Sequence, residues 1–84
     1  MKFLRFYSTT CQPCKRFEPI LSAFADKHGI PVHSVNVEDQ ADLAEAYDVR
    51  SVPTTVLLKD GEAVKTINRA LPTPMLDSEF REFL

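Results

Sequence analysis

The chain has 84 residues, which suits a single domain over residues 1–84, because a chain of this size buries only around 60% of its unfolded surface and has one core. Apolar residues make up 44% and charged residues 26% of the chain; these fractions are close to globular averages and exclude a disordered tail or a fibrous repeat. The formal net charge of -2 lacks the basic excess that nucleic-acid binding requires, and no apolar run approaches the roughly 18 residues that span a bilayer, so neither nucleic acid nor membrane is expected as a partner.

The first half of the chain predicts a strand followed by a helix. Lys2 to Tyr7 is a short, aromatic-rich and mostly apolar run, typical of a buried strand, and the Ser-Thr-Thr after it supplies turn and capping residues. From Cys11 to His28 apolar residues recur at three- and four-residue spacing, and Gly29 ends the pattern, which predicts an amphipathic helix. Pro19 removes one backbone donor inside that helix and is expected to bend it.

The second half predicts a strand, a helix, a hairpin and a last helix. Val32, Val35 and Val37 favour a strand, and the apolar spacing over 43–47 favours a short helix. Two β-rich runs, 54–59 and 62–68, flank the turn dipeptide Asp60-Gly61, which indicates a hairpin. A final helix begins at Thr73 or Asp77. Its side chains expected to dock on the sheet are Met75, Leu76, Phe80, Phe83 and Leu84.

The element order is therefore βαβαββα. A helix connects the first two strands, so they are expected to pair in parallel, whereas the closing hairpin is antiparallel. The predicted fold class is α/β, with a central four-stranded mixed sheet flanked by three helices on both faces.

The two cysteines stand three positions apart, in Cys11-Gln12-Pro13-Cys14, where a strand passes into a helix. Free N–H groups and the helix dipole favour a thiolate at the helix N-terminus, so Cys11 is the predicted nucleophile. Cys14 lies within reach of the mixed disulfide formed on Cys11 and is the predicted resolving thiol. Pro13 suits the first helical turn and stiffens the loop. Lys15 either supports the thiolate or, with its basic neighbour Arg16, is only an exposed charge.

Adjacent cysteines in so short a chain indicate redox chemistry or metal binding in a reducing compartment, since secreted chains of this size usually carry several spaced disulfides. The N-terminus also lacks the apolar stretch of a secretion signal. We expect a cytoplasmic monomer. His28 and His33 do not stand at zinc-ligand spacing from the cysteines, so no metal is expected, and no cofactor beyond the Cys11–Cys14 disulfide.

Several motifs together resemble the thioredoxin family over nearly the whole chain. Cys11-Gln12-Pro13-Cys14-Lys15 and the later Pro19 are similar to that family's C-G-P-C-K segment and helix proline. The segment Val49-Arg50-Ser51-Val52-Pro53-Thr54 resembles the segment that contains its cis proline, and Lys59-Asp60-Gly61-Glu62 resembles its hairpin turn. The predicted fold is accordingly a minimal thioredoxin fold.

The resemblance implies a thiol–disulfide oxidoreductase that reduces protein disulfides. It implies that the Val52–Pro53 bond is cis and packs opposite Cys11, with the Val52 backbone offered to a substrate peptide beside Gln12 and Pro13. Otherwise, Pro53 only marks the start of a strand. The implied partners are a disulfide-containing client protein such as ribonucleotide reductase and an electron donor like thioredoxin reductase.

The chain departs from the family pattern around the dithiol. Only ten residues precede Cys11, whereas thioredoxins usually have an extra strand and helix before this position. The length of this N-terminal segment is closer to that of glutaredoxins. Thr10 replaces the family's tryptophan and Gln12 its glycine, which predicts a smaller, more polar and less flexible rim. Arg69 replaces a glycine of the substrate surface; it either biases that surface towards acidic partners or is a solvated charge.

Arg5 occupies the position of the buried aspartate that the family uses as a proton acceptor for the resolving cysteine. A guanidinium cannot accept a proton but stabilises a thiolate, so we hypothesise that Arg5 lowers the pKa of the cysteines and makes the dithiol more oxidising. The alternative is that Arg5 extends to solvent.

Two other functions stay open at this level. A glutaredoxin-like, glutathione-dependent reductase is favoured by the short N-terminus and by Val52-Pro53. However, Asn68-Arg69-Ala70-Leu71 stands where glutaredoxins have a Gly-Gly-acid segment. The third possibility is a thioredoxin-fold binding module in which the dithiol is incidental.

Overall fold

Four strands and three helices alternate in the predicted order in the computed structural model, which describes residues 1–84. The elements are β1 (Lys2–Tyr7), α1 (Gln12–Lys27), β2 (Val32–Asn36), α2 (Ala41–Ala46), β3 (Thr54–Lys59), β4 (Glu62–Ile67) and α3 (Thr73–Phe80), followed by a 3-10 turn at Arg81–Phe83. The α/β class and the mixed four-stranded sheet are confirmed. None of the helices has the length and apolar character needed to cross a membrane.

The strand order is β2-β1-β3-β4, so β1 and β3 are neighbours in the middle of the sheet. Strands β1 and β2 pair in parallel, as the crossover through α1 requires, whereas β3 is antiparallel to both β1 and β4. Phe6 of β1 therefore lies opposite Thr54 of β3. The carboxyl end of β1, which leads to the dithiol, therefore lies beside the amino end of β3, at one end of the strands.

Side chains of β1 alternate between two cores, one on each face of the sheet. Phe3 belongs to the larger core, which α1 and α3 cover and in which its ring meets that of Phe80 edge-on at 5.1 Å. Leu4 and Phe6 belong to the smaller core, which includes Ala44 of α2. Helices thus cover both faces, and α1 is held firmly against the sheet.

The hairpin turn forms at the predicted dipeptide. Asp60 has φ 53° and Gly61 has φ 82°, so both residues occupy the left-handed region that a type I′ turn requires. Glycine reaches such angles without a Cβ clash, and aspartate is among the side chains that tolerate them. The Asp-Gly pair is therefore the local reason for the tight connection between β3 and β4.

Two side chains near the end of the chain differ from the prediction. Helix α3 begins at Thr73, the first of the two predicted starts. The expectation that Met75 and Leu84 dock on the sheet is wrong, because they are 43% and 40% exposed. Leu76 and Phe80, one helical turn apart, occupy the face towards the sheet, and Met75 lies about 100° away from it.

Helix α1 runs without interruption through Pro19 from Gln12 to Lys27. Cys11 is its N-cap and His28 its C-cap, so each lies just outside the helix that the sequence predicted to include them.

Candidate active site

The dithiol lies where β1 passes into α1. Cys11 and Cys14 form a disulfide with a Cα–Cα separation of 5.3 Å. Cys11 has extended backbone angles and caps the helix, and its Sγ accepts a hydrogen bond from the Cys14 N–H at 3.1 Å. A sulfur in this position lies next to the unpaired N–H groups and the positive end of the helix dipole, both of which stabilise a thiolate.

The two sulfurs differ in accessibility. Cys14 is 1% exposed, on the buried face of α1. Cys11 is partly exposed, and Gln12 and Pro13 between them are exposed. Cys11 is therefore the cysteine accessible from solution, whereas Cys14 is buried. This asymmetry suits the predicted division into an attacking and a resolving thiol.

The segment that precedes β3 lies at the same end of the strands as the dithiol. The Val52–Pro53 peptide bond is cis, as the resemblance implies. Pro53 is buried and Val52 is partly exposed, packed on the smaller core. The Thr54 hydroxyl donates a hydrogen bond to the Ser51 carbonyl at 2.7 Å, which closes the turn around this peptide.

Arg5 points inward and lines the same pocket as Cys14. It is 5% exposed, so the alternative that it extends to solvent is wrong. Its guanidinium donates to Glu18 Oε2 at 2.9 Å and to Ser34 Oγ at 3.1 Å, and it stacks on the Tyr7 ring, 4.4 Å from the centroid. The buried cation is thus paired with an acid, so the charge it presents to the cysteines is reduced.

A pocket of about 420 Å³ connects this ion pair with Cys14. We call it the Cys14 pocket; its lining residues are Arg5, Tyr7, Ser8, Thr9, Cys14, Lys15 and Glu18. Cys14, Lys15 and Glu18 come from the first turns of α1, and Arg5 and Tyr7 come from the adjacent strand. Lys15 therefore shares the pocket with Arg5, although Lys15 and its neighbour Arg16 are both exposed.

Glu38, two residues after the end of β2, anchors the loop that precedes Cys11. This carboxylate accepts hydrogen bonds from the Thr9 backbone N–H at 3.1 Å and from the Thr9 hydroxyl at 3.0 Å. The pKa of Glu38 lies below its ordinary value because of these two bonds, and the bond from the backbone N–H has the larger effect. The anchor fixes the loop that carries the chain from β1 to Cys11.

Several other polar residues lie outside the Cys14 pocket. Arg69 and His33 are exposed. The His28 ring packs against the Phe24 ring at an interplanar angle of 58°, with ring centroids 4.7 Å apart. Thr55, the cross-strand neighbour of Arg5, is fully buried, and its Oγ1 has no hydrogen-bond partner.

Sequence reasoning missed Glu18, Ser34 and Glu38. One signal for Glu18 was available: it follows Cys14 by four residues, which puts both on one side of a helix. The partnership with Arg5 had no comparable signal, because it joins a strand residue to a helix residue 13 positions away.

Comparisons with known proteins agree with this geometry. The thioredoxin family model matches residues 2–82. The chain belongs to the thioredoxin family. A thioredoxin of Porphyra purpurea is 32% identical over 81 residues, which cover 94% of this chain and 76% of that protein. Thioredoxin-1 of Caenorhabditis elegans is 38% identical over 65 residues, which cover 76% and 56% of the two chains.

Solved thioredoxin structures superpose closely on the chain. A mutant thioredoxin of Halobacterium salinarum has a TM-score of 0.86 at 34% identity, covering 94% of this chain and 71% of that one. Thioredoxin 1 of Thermosipho africanus has a TM-score of 0.88 at 20% identity, covering 99% and 93%, and shows the shared fold. As a member of the thioredoxin family with an intact Cys-x-x-Cys pair, the protein is a thiol–disulfide oxidoreductase, whose partners are disulfide-containing proteins and a reductase.

Proposed function

We propose that the protein works as a reductase of client disulfides, with Cys11 as the attacking thiolate and Cys14 as the resolving thiol. The observation that carries this assignment is the difference in exposure between the two sulfurs at the N-terminus of α1. The Cys11 thiolate attacks one client sulfur and releases the other as a thiolate. Cys14 then attacks Cys11, forms the intramolecular disulfide and releases the second client thiol. Two electrons pass to the client.

The client surface is proposed to consist of the exposed loop and the cis-proline turn. Gln12 and Pro13 flank the accessible sulfur, and the backbone of Val52 beside Pro53 offers hydrogen-bonding groups to an extended peptide. This proposal is supported by the pairing of β1 with β3, whose register brings both segments to the same end of these strands.

Positive charge near the dithiol is proposed to favour thiolates. Lys15 and Arg5 both line the Cys14 pocket, and a cation stabilises a neighbouring thiolate. Because Glu18 pairs with Arg5, we expect the effect of Arg5 to be smaller than that of an unpaired guanidinium. If the pKa of both thiols and the reduction potential are unchanged in Arg5→Ala, this tuning role is wrong.

For the biological setting, we propose a monomer in the cytoplasm that receives electrons from a flavin-dependent reductase and serves a client such as ribonucleotide reductase. The dithiol needs no other cofactor and no metal for this exchange. A reducing compartment supports the cycle, since it keeps Cys11 and Cys14 as thiols between turnovers.

The test is reduction of insulin disulfides, driven in turn by thioredoxin reductase and by glutathione. We expect turnover with the reductase, no turnover with Cys11→Ser, and accumulation of a mixed disulfide with Cys14→Ser. Turnover with glutathione alone would replace the proposed electron donor and indicate the glutaredoxin-like activity. Absence of turnover in both systems would contradict the reductase function and favour a binding module.

A further inference from the structure

Resolution of the mixed disulfide requires a proton to leave Cys14. The nucleophile in disulfide exchange is the thiolate, not the thiol. Cys14 is 1% exposed, so bulk water reaches its sulfur poorly. A proton acceptor next to Cys14, with its own access to solvent, would remove this obstacle.

Glu18 has the placement such an acceptor needs. It lies one helical turn after Cys14 on α1, and both side chains line the Cys14 pocket. It is the only carboxylate among the lining residues. Its side chain is 58% exposed, so the carboxylate faces the pocket on one side and solvent on the other.

Arg5 holds that carboxylate in place. The guanidinium donates to Glu18 Oε2 at 2.9 Å and is itself fixed by Ser34 and by the Tyr7 ring. A carboxylate has about four lone-pair sites, so Glu18 keeps acceptor capacity beyond the bond from Arg5. The pocket volume of about 420 Å³ has room for water, whose share of liquid volume is about 30 Å³.

We propose that Glu18 accepts the Cys14 proton during resolution, through water in the Cys14 pocket. The proposal rests on the assignment of Cys14 as the resolving thiol. The Cys14 S–H proton passes to the Glu18 carboxylate, and the resulting thiolate attacks Cys11 Sγ. The Cys11–Cys14 bond forms as the bond between Cys11 and the client breaks. The departing client thiolate takes a proton from solvent or from the Glu18 carboxylic acid. Glu18 returns to its ionised form by giving its proton either to that thiolate or to solvent.

An electrostatic role alone predicts the opposite result for the same substitution. A negative charge near Cys14 disfavours the thiolate, so Glu18→Gln would increase the thiolate fraction and speed resolution if Glu18 took no proton. If Glu18 is the acceptor, Glu18→Gln slows resolution. The sign of the rate change therefore separates the two roles.

Reaction of the reduced protein with dithiobis(nitrobenzoate) resolves the two steps. Attack by Cys11 releases one thionitrobenzoate in a phase whose rate depends on reagent concentration. Attack by Cys14 on the resulting mixed disulfide releases the second in a concentration-independent phase. We expect Glu18→Gln to slow the second phase about a hundredfold, the lower end for general base catalysis, and not to slow the first phase.

Two further variants and a pH series complete the test. Glu18→Asp keeps a carboxylate and is expected to recover part of the second-phase rate, and it serves in place of Glu18→Gln if that variant does not fold. Glu82→Gln removes an exposed carboxylate outside the Cys14 pocket and should change neither phase. In Glu18→Gln the second phase should rise about tenfold per pH unit, as a thiolate fraction does, whereas the wild type should rise less steeply.

An unchanged or faster second phase in Glu18→Gln would overturn the proposal. That result is distinct from failure of the reductase function, in which the wild type itself would release no second thionitrobenzoate.

Discussion

The Arg5–Glu18 ion pair predicts that its two members contribute unequally to stability. Arg5 has a side chain that is 6% exposed, whereas that of Glu18 is 58% exposed. Two charges about 4 Å apart attract by about 4 kcal/mol at an effective dielectric constant of 20 and by about 1 kcal/mol in water. The exposure of Glu18 screens the pair, so we expect a coupling energy between these two limits, about 2 kcal/mol.

Removal of the acid is expected to be the more harmful change. Glu18→Ala leaves a buried guanidinium with only Ser34 and the Tyr7 ring as partners and should lower the free energy of unfolding by about 2 kcal/mol, below the 3–5 kcal/mol of fully buried pairs. Arg5→Met leaves a carboxylate that water can hydrate and should cost about 1 kcal/mol. The double variant should be more stable than Glu18→Ala.

Urea unfolding of the oxidised protein measures these differences, since the intact disulfide keeps the unfolded state the same in all variants. The exposed Arg81–Asp77 pair provides the control cycle and should show a smaller coupling. A coupling for Arg5 and Glu18 no larger than that of the control, or a double variant less stable than Glu18→Ala, would refute the argument from burial.

Three other substitutions test the core, the loop anchor and the client surface. Phe80→Ala removes a fully buried ring and should lower the free energy of unfolding by about 3–5 kcal/mol, whereas Met75→Ala at an exposed position should change it by less than about 0.5 kcal/mol. The bonds from Thr9 lower the pKa of Glu38 in the folded state, so their stabilisation is present above the ordinary value of 4.5 and is lost as the pH falls through the folded pKa. The difference in Tm between wild type and Glu38→Gln should therefore be largest near neutral pH and vanish in acid; a constant difference would contradict this. Arg69→Glu should raise KM for acidic disulfide peptides by about two- to fivefold and lower it for basic ones, as expected for one exposed charge; equal KM values would leave Arg69 as a solvated charge.

Much of the fold was predictable because its determinants are local. The aromatic run of β1, the apolar spacing of α1 and the Asp60-Gly61 turn each act within a few residues, and their predicted positions agree with the structure to within a residue or two. The end of the chain was less predictable. Periodicity alone does not say which side of α3 meets the sheet, and Met75 was therefore wrongly expected to be buried.

The sequence by itself determined that two cysteines stand at the start of a helix, since a strand pattern ends just before them and a helical one begins. It also showed that a cation replaces the family's acid at position 5. Only the tertiary structure decided what that cation does. Parallel pairing with β2 brings Ser34 next to Arg5, and packing of α1 on the sheet brings Glu18 to its guanidinium. The pair in the Cys14 pocket thus depends on contacts between elements distant in the chain, which no local pattern specifies.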